Sequence, residues 1–171
     1  MPTTNRHGWD RVKRGVLPVL AHSARTAVAA VVSLLAARLF KLPEAYWAPI
    51  TTLVITQSSL GAALTVSWQR FVGTALGAVV GAIVASRFGP SVLVFGVGVF
   101  ILGLLSSVAR SDRSAYRFSG VTLAIMLLVP RTGPPTEIAF HRCAVVFIGI
   151  GVALMLAVAW PETEAPASGK I

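Results

Sequence analysis

Residues 70–81 read Arg-Phe-Val-Gly-Thr-Ala-Leu-Gly-Ala-Val-Val-Gly, and this stretch decides the fold. After the leading arginine it carries no charge, and its glycines recur every four residues, at Gly73, Gly77 and Gly81. Small residues at that spacing let two helix backbones approach closely where lipid supplies no hydrophobic driving force. We therefore predict a helix inside a membrane bundle. Its glycines serve helix packing or, as the alternative, line a narrow conduit.

The composition of the whole chain supports a membrane protein. Of its 171 residues, 55% are hydrophobic and only 12% are charged, and the mean hydropathy is +0.77. A soluble domain has about 25% charged residues, so a water-soluble globule is excluded. At about 20 residues per crossing, six spans use nearly all of the length. We expect an all-α polytopic membrane protein with six transmembrane helices.

Charged residues and prolines divide the chain into six apolar runs. The runs cover about 16–40, 47–64, 70–87, 90–109, 116–129 and 139–160, and Pro49 stands in the first turn of the second, where proline is tolerated. We predict a basic cytoplasmic tail at 1–15, a six-helix transmembrane domain at 16–161 and a disordered polar tail at 162–171. The fifth run is the shortest, and a tilted interfacial segment is its alternative.

The distribution of positive charge orients these helices. The formal net charge is +9. With the N-terminus inside, ten of the fifteen Lys and Arg residues fall on the cytoplasmic side. Cytoplasmic loops carry an excess of Lys and Arg, so we expect a cytoplasmic N-terminus. The cations are scattered between apolar runs, which argues against nucleic-acid binding.

The second half of the chain repeats part of the first. The segment from Arg70 overlays the segment from Arg142 at an offset of 72, which sets Gly77 on Gly149. A weaker overlay at an offset of 70 sets Thr52 on Thr122. Each half has an odd number of spans, so the halves would enter the membrane in opposite directions. We predict two inverted three-helix repeats.

Candidate functional residues are the few polar groups inside apolar runs. Three arginines, Arg25, Arg70 and Arg142, lie in or at the start of predicted helices. A guanidinium at the bilayer centre costs about 2.5–3.5 kcal/mol on insertion scales, so each either snorkels to the headgroups or serves a function such as binding a carboxylate. A polar stripe with Thr52, Thr56 and Gln57 either hydrogen-bonds to other helices or lines a wet path.

The sequence gives little support for catalysis, metal binding or proton transfer. The single cysteine, Cys143, lies in an apolar run, the three histidines are isolated, and no metal-ligand or nucleophile motif occurs. All six acidic residues fall in tails or connections, which argues against a proton relay. We assign the four tryptophans to the interfacial aromatic belt. We expect no enzyme activity, no metal and no cofactor.

Several of these motifs resemble those of a known family. The stretch 46–51, Tyr-Trp-Ala-Pro-Ile-Thr, followed by Gln57-Ser58, Gly61-Ala62 and Arg70-x-x-Gly73-Thr74-x-x-Gly77, is similar to the fusaric acid resistance protein-like family of bacterial membrane proteins. It also resembles the membrane half of plant aluminium-activated malate transporters. The resemblance implies a six-helix domain of the bacterial inner membrane, export of aromatic or other organic acids, and a dimeric anion conduit with basic residues at its pore.

Two functions remain open on this basis. The first is a transporter or channel for organic anions, with Arg25 and Arg70 collecting the substrate inside, Arg142 releasing it outside, and Thr52, Thr56 and Gln57 lining the path. The second is a scaffold or accessory subunit of a larger efflux complex, whose arginines only set topology. The expected partners are the lipid bilayer, a small organic anion, a second copy of the chain and a separately encoded efflux protein.

Overall fold

The computed structural model describes residues 6–56, 59–108, 113–129 and 133–160. Within these ranges the chain forms six helices: α1 (Arg6–Leu39), α2 (Trp47–Ile55), α3 (Leu60–Phe88), α4 (Val92–Val108), α5 (Arg113–Leu128) and α6 (Pro135–Ala159). Three stretches are long and apolar enough to cross a membrane, namely Val19–Leu39, Leu60–Phe88 and Pro135–Ala159. Shorter apolar helices cover Val92–Ser107 and Ser114–Leu128. The all-helical prediction is thereby confirmed for the described residues.

The first helix is longer than its apolar run. α1 begins at Arg6, inside the segment 1–15 assigned to a tail, while residues 1–5 and the tail at 162–171 lie outside the described residues. Along α1, the buried residues Arg25, Ala29, Ser33 and Ala37 recur every four positions. That spacing places one side of the helix against α2 and α6.

The boundary between the second and third helices differs most from the sequence prediction. A helix over 47–64 was expected, but α2 ends at Ile55 and α3 begins at Leu60. The cause is Ser59, whose extended backbone and hydroxyl, accepting from the Ala62 amide at 3.3 Å, make it the N-cap of a new helix. α2 therefore has 9 residues, about 14 Å, and α3 has 29, about 43 Å.

The helices pack in two parallel pairs around a central contact between α3 and α6. α3 packs on α5 and α6, α6 packs on α2 and α1, and α4 lies on α5. Along α3 and α5, Gly73 faces Ala115 and Gly81 faces Met126, so these two helices run in the same direction. α4 is antiparallel to α5, because Gly98 faces Leu123 and Gly103 faces Tyr116. The outer faces carry exposed apolar side chains such as Leu39 and Val92, as contact with lipid requires.

Candidate functional site

α3 and α5 meet through backbone rather than through side chains. A Cβ added to Gly73 or Gly77 would collide with the carbonyl oxygens of Ala115 and Ser119, and at Gly77 it would also lie 2.8 Å from the Thr122 Cβ. Only glycine fits at such a distance. We call this contact the α3–α5 crossing. At Gly81 an added Cβ would lie 3.0 Å from the Cβ and Cγ of Met126, farther than the nearest atoms at Gly73 and Gly77, so the fit is looser there.

α2 and α6 meet in the same way. A Cβ on Gly149 would lie 2.6 Å from the Ala48 carbonyl oxygen and 2.8 Å from the Thr51 Cβ. In addition, the buried Thr52 hydroxyl lies 3.0 Å from the carbonyl oxygens of both Ala48 and Gly149 and shares its one proton between them. We call this contact the α2–α6 crossing. Its hydroxyl bridge joins the two helices and closes the contact.

Arg70 lies inside the protein, ten residues after α3 begins. It is 5% exposed, and its Cζ lies 4.6 Å from the centre of the Phe118 ring on α5. Its Nη2 is 3.5 Å from the Thr51 Oγ1 on α2, the outer limit of a hydrogen bond. The Nε makes no hydrogen bond, and no acidic side chain of the described ranges pairs with this guanidinium. We call Arg70, Phe118 and Thr51 the Arg70 site.

Arg142 occupies a similar place on α6, seven residues after that helix begins. It is 2% exposed, and its Cζ lies 3.7 Å from the centre of the Trp47 ring on α2. Its Nη1 is 3.9 Å from the Oε2 of Glu44, a carboxylate in the turn between α1 and α2. We call Arg142, Trp47 and Glu44 the Arg142 site.

The two sites have the same layout relative to the crossings. In each site, the arginine precedes the glycine of the nearby crossing by seven residues. The aromatic ring on which it stacks precedes the threonine that this glycine contacts by four residues. The corresponding sets are Arg70, Gly77, Phe118 and Thr122, and Arg142, Gly149, Trp47 and Thr51. Thr51 rather than Thr52 thus corresponds to Thr122, one residue from the sequence overlay at an offset of 70.

Burial of these two cations needs compensation. Arginine stays charged in proteins, and taking an ion out of water costs several kcal/mol even after relaxation. Stacking on a desolvated aromatic ring returns about 2 kcal/mol. At the Arg142 site the Glu44 carboxylate adds an opposite charge. At the Arg70 site a hydroxyl oxygen at 3.5 Å is the polar neighbour, so the positive charge there is less well balanced.

The remaining residues singled out in the sequence are spread over α1 and α2. Arg25 is buried on α1, at 3% exposure. Of the two alternatives for the polar stripe, Thr52 shows the hydrogen bond to another helix. The Thr56 hydroxyl donates to the Thr52 carbonyl at 2.8 Å and is half-buried, and Pro49 is half-buried in the first turn of α2. Gln57 lies outside the described residues.

Sequence reasoning missed three of the groups that contact the arginines. Trp47 was assigned to the aromatic belt, Glu44 to a connection, and Phe118 to no role. The overlay of the two halves carried part of the missing signal, because it placed Arg70 and Arg142 in equivalent positions, but it did not identify the ring or the carboxylate beside either one. In the ranges that the structure describes, no group of three His, Cys, Asp or Glu side chains could hold a metal ion.

An apolar cavity opens on α6 at the end opposite its C-terminus. It is lined by the ends of α3 and α5 and by the start of α6, including Met126, Pro135 and Ile138. Ile138 lies one helical turn before Arg142 on α6, but the Arg142 guanidinium stacks on Trp47 of α2 and does not line the cavity.

Comparisons with known proteins agree with this membrane architecture. Residues 28–156 match the fusaric acid resistance protein-like family. The chain is 29% identical over 154 residues to the inner membrane protein YeeA of Escherichia coli, covering 84% of this chain and 41% of that protein. It is 26% identical over 141 residues to an uncharacterized protein of Synechocystis sp., covering 82% of this chain and 19% of that protein. The chain thus spans less than half the length of these relatives, and no solved structure matches it.

Proposed function

The chain belongs to the fusaric acid resistance protein-like family, and from this premise we propose that it is a unit of a transporter or channel that moves organic acid anions, aromatic ones included, out across the bacterial inner membrane. One observation carries the proposal. Arg70 is a buried cation with a ring and a distant hydroxyl around it, and without an acidic partner in the described ranges. A substrate carboxylate would supply the missing opposite charge. An ion pair at about 4 Å is worth up to about 4 kcal/mol at an effective dielectric constant near 20.

Three further features fit an anion path. Arg142 is a second buried guanidinium on a neighbouring helix pair, and Arg25 is a third on α1. The apolar cavity at the ends of α3 and α5 has room for the ring of an aromatic acid. Thr56 follows the end of α2 directly, with Gln57 next in the sequence, and broken helices in membrane proteins supply polar groups to transport sites. Thr52 contributes indirectly in this scheme, by holding α2 on α6.

We further propose that the six helices form two inverted repeats of three helices each, with a cytoplasmic N-terminus. The matching crossings support this arrangement. A two-fold axis that exchanges α2–α6 with α5–α3 would exchange the two arginine sites as well, and it would set them toward opposite faces of the membrane. α2 and α5 are too short to cross a hydrocarbon core of about 30 Å by themselves, so a second copy of the chain or a separate efflux partner would complete the path.

Flux measurements test the assignment directly. Purified protein in liposomes should pass benzoate, and Arg70→Ala should lower that flux at least tenfold, since it removes the buried charge that offsets dehydration of the anion. Arg87→Ala is the matched control, because Arg87 is an exposed arginine in the last turn of the same helix. Equal flux in the wild-type protein and a folded Arg70→Ala variant would contradict the role of Arg70.

The second candidate is a scaffold or accessory subunit without transport of its own. The closed α2–α6 crossing favours it, because the hydroxyl bridge and the glycine contact leave no open path between those two helices. This function predicts no benzoate flux from the purified chain and a stable complex with a different protein in mild detergent. The same liposome experiment therefore separates the two candidates.

A further inference from the structure

The two arginine sites differ by one carboxylate. Glu44 precedes the stacked Trp47 by three residues and reaches Arg142. The residue that precedes the stacked Phe118 by three is Ala115, a buried methyl group on α5. The layout that is otherwise repeated thus carries an acid at the Arg142 site and none at the matching position of the Arg70 site.

Glu44 is held at this place by a strained turn. Lys41 and Glu44 have positive φ angles of 51° and 61°, a left-handed conformation that non-glycine residues adopt at a cost. The Glu44 carbonyl oxygen accepts from the Trp47 amide at 3.0 Å, which ties the turn to the start of α2. Such strain persists at functional positions when the surrounding structure fixes it.

The ion pair itself is loose. Its N–O distance of 3.9 Å is well beyond the 2.7–2.9 Å typical of a charge-assisted hydrogen bond. The Glu44 side chain is 20% exposed while that of Arg142 is 2% exposed, so the carboxylate is the more accessible member of the pair.

We propose that Glu44 is a built-in competitor for the anion site at Arg142. Its carboxylate has the same chemistry as a carboxylate substrate, so the two exclude each other beside one guanidinium. This inference rests on the proposed function, because it needs an anion that reaches Arg142. A substrate carboxylate binds there by displacing Glu44, and Glu44 displaces it again when the substrate leaves.

The inference gives the two sites different affinities. An anion at the Arg70 site meets an uncompensated cation, whereas an anion at the Arg142 site competes with a tethered carboxylate. Arg70 therefore binds the anion more tightly, and Arg142 releases it more readily. The asymmetry supplies no driving force, which comes from the gradient, but it speeds release at the Arg142 end.

Benzoate binding to the purified full chain, measured by isothermal titration calorimetry in detergent, tests this. Arg70→Gln should weaken binding at least tenfold, because only the Arg142 site with its competitor remains. Adding Glu44→Gln should restore the affinity to within about threefold of the wild-type value, because the competitor is neutralised while the turn keeps a side chain of the same shape. Glu137→Gln is the matched control, since it neutralises an exposed acid in the first turn of α6.

The outcomes separate this inference from the proposed function. Recovery in the Arg70→Gln/Glu44→Gln protein, with none in Arg70→Gln/Glu137→Gln, supports the competitor. Binding by the wild-type chain without recovery in the double variant overturns it and leaves the proposed function standing. No benzoate binding or flux in any protein overturns both. If Arg70→Gln does not fold, Glu44→Gln alone should raise the stoichiometry from about one to about two benzoates per chain, and an unchanged stoichiometry overturns the competitor.

Discussion

The α2–α6 and α3–α5 crossings share their backbone contacts and differ in their polar groups. Both place a glycine against a carbonyl oxygen and a threonine, and both stack an arginine on a ring one or two turns away. The α2–α6 crossing adds the Thr52 hydroxyl bridge and the Glu44 carboxylate, while Leu123 and Ala115 take the matching positions at the α3–α5 crossing. The shared features build the bundle, and the differing ones distinguish its two sites.

The largest expected effect tests the shared features. Gly77→Ala and Gly149→Ala should each lower the free energy of unfolding by about 1–3 kcal/mol, because the new methyl group meets backbone that cannot yield as a flexible side chain does. The measurement is unfolding in detergent micelles.

Gly151→Ala provides the control for these two variants. Gly151 is on α6, two residues from Gly149, and a Cβ there meets nothing within 4 Å. The substitution should therefore be neutral or stabilising by up to about 1 kcal/mol. A large loss at only one of Gly77 and Gly149 would break the equivalence of the crossings.

The second prediction compares the two stacked rings. Trp47→Leu should lower the free energy of unfolding by about 2 kcal/mol and Phe118→Leu by about 1 kcal/mol. The tryptophan ring attracts a cation more strongly than the phenylalanine ring does, and the arginine Cζ lies 3.7 Å from the centre of the Trp47 ring against 4.6 Å for Phe118. Trp68→Leu is the control, because Trp68 is 67% exposed. Equal losses for Trp47 and Trp68 would show that stacking on Arg142 adds nothing.

The smallest expected effect concerns the hydroxyl bridge. Thr52→Val keeps the side-chain shape and removes the hydrogen bond to Gly149, which should cost about 0.6–1.7 kcal/mol in thermal unfolding measurements. Thr65→Val is the matched control, because the Thr65 hydroxyl is exposed and donates only within its own helix. A loss no greater than that of Thr65→Val would remove one of the two differences between the crossings.

The number of helices could be predicted from the sequence, because each apolar run bounded by charged residues favours a helix in a lipid environment. The four-residue spacing of Gly73 and Gly77 likewise indicated a close helix contact, and the structure places both against α5. The break before Ser59 was missed, since the uncharged stretch 45–69 has the hydropathy of one continuous helix and the N-cap signal is a single serine.

The arrangement of the arginine sites was beyond sequence reasoning. Hydropathy cannot decide whether an arginine near a helix end turns to the headgroups or to a neighbouring helix, because both choices satisfy the same composition. The sequence overlay placed Arg70 and Arg142 in equivalent positions, but the stacked rings come from other helices, and the Glu44 contact depends on the backbone of a turn. Contacts between distant segments require the packed structure.

The nine-residue α2 has a consequence for how the protein is made. A ribosome releases α2 well before α6, yet α6 supplies the carbonyl oxygen and the glycine surface on which α2 rests. Before α6 is made, residues 45–69 enter the translocation machinery as one uncharged, largely apolar segment. The N-cap at Ser59 belongs to α3 itself, so the break after α2 needs no later helix, whereas the packing of α2 is completed only when α6 emerges and docks against it.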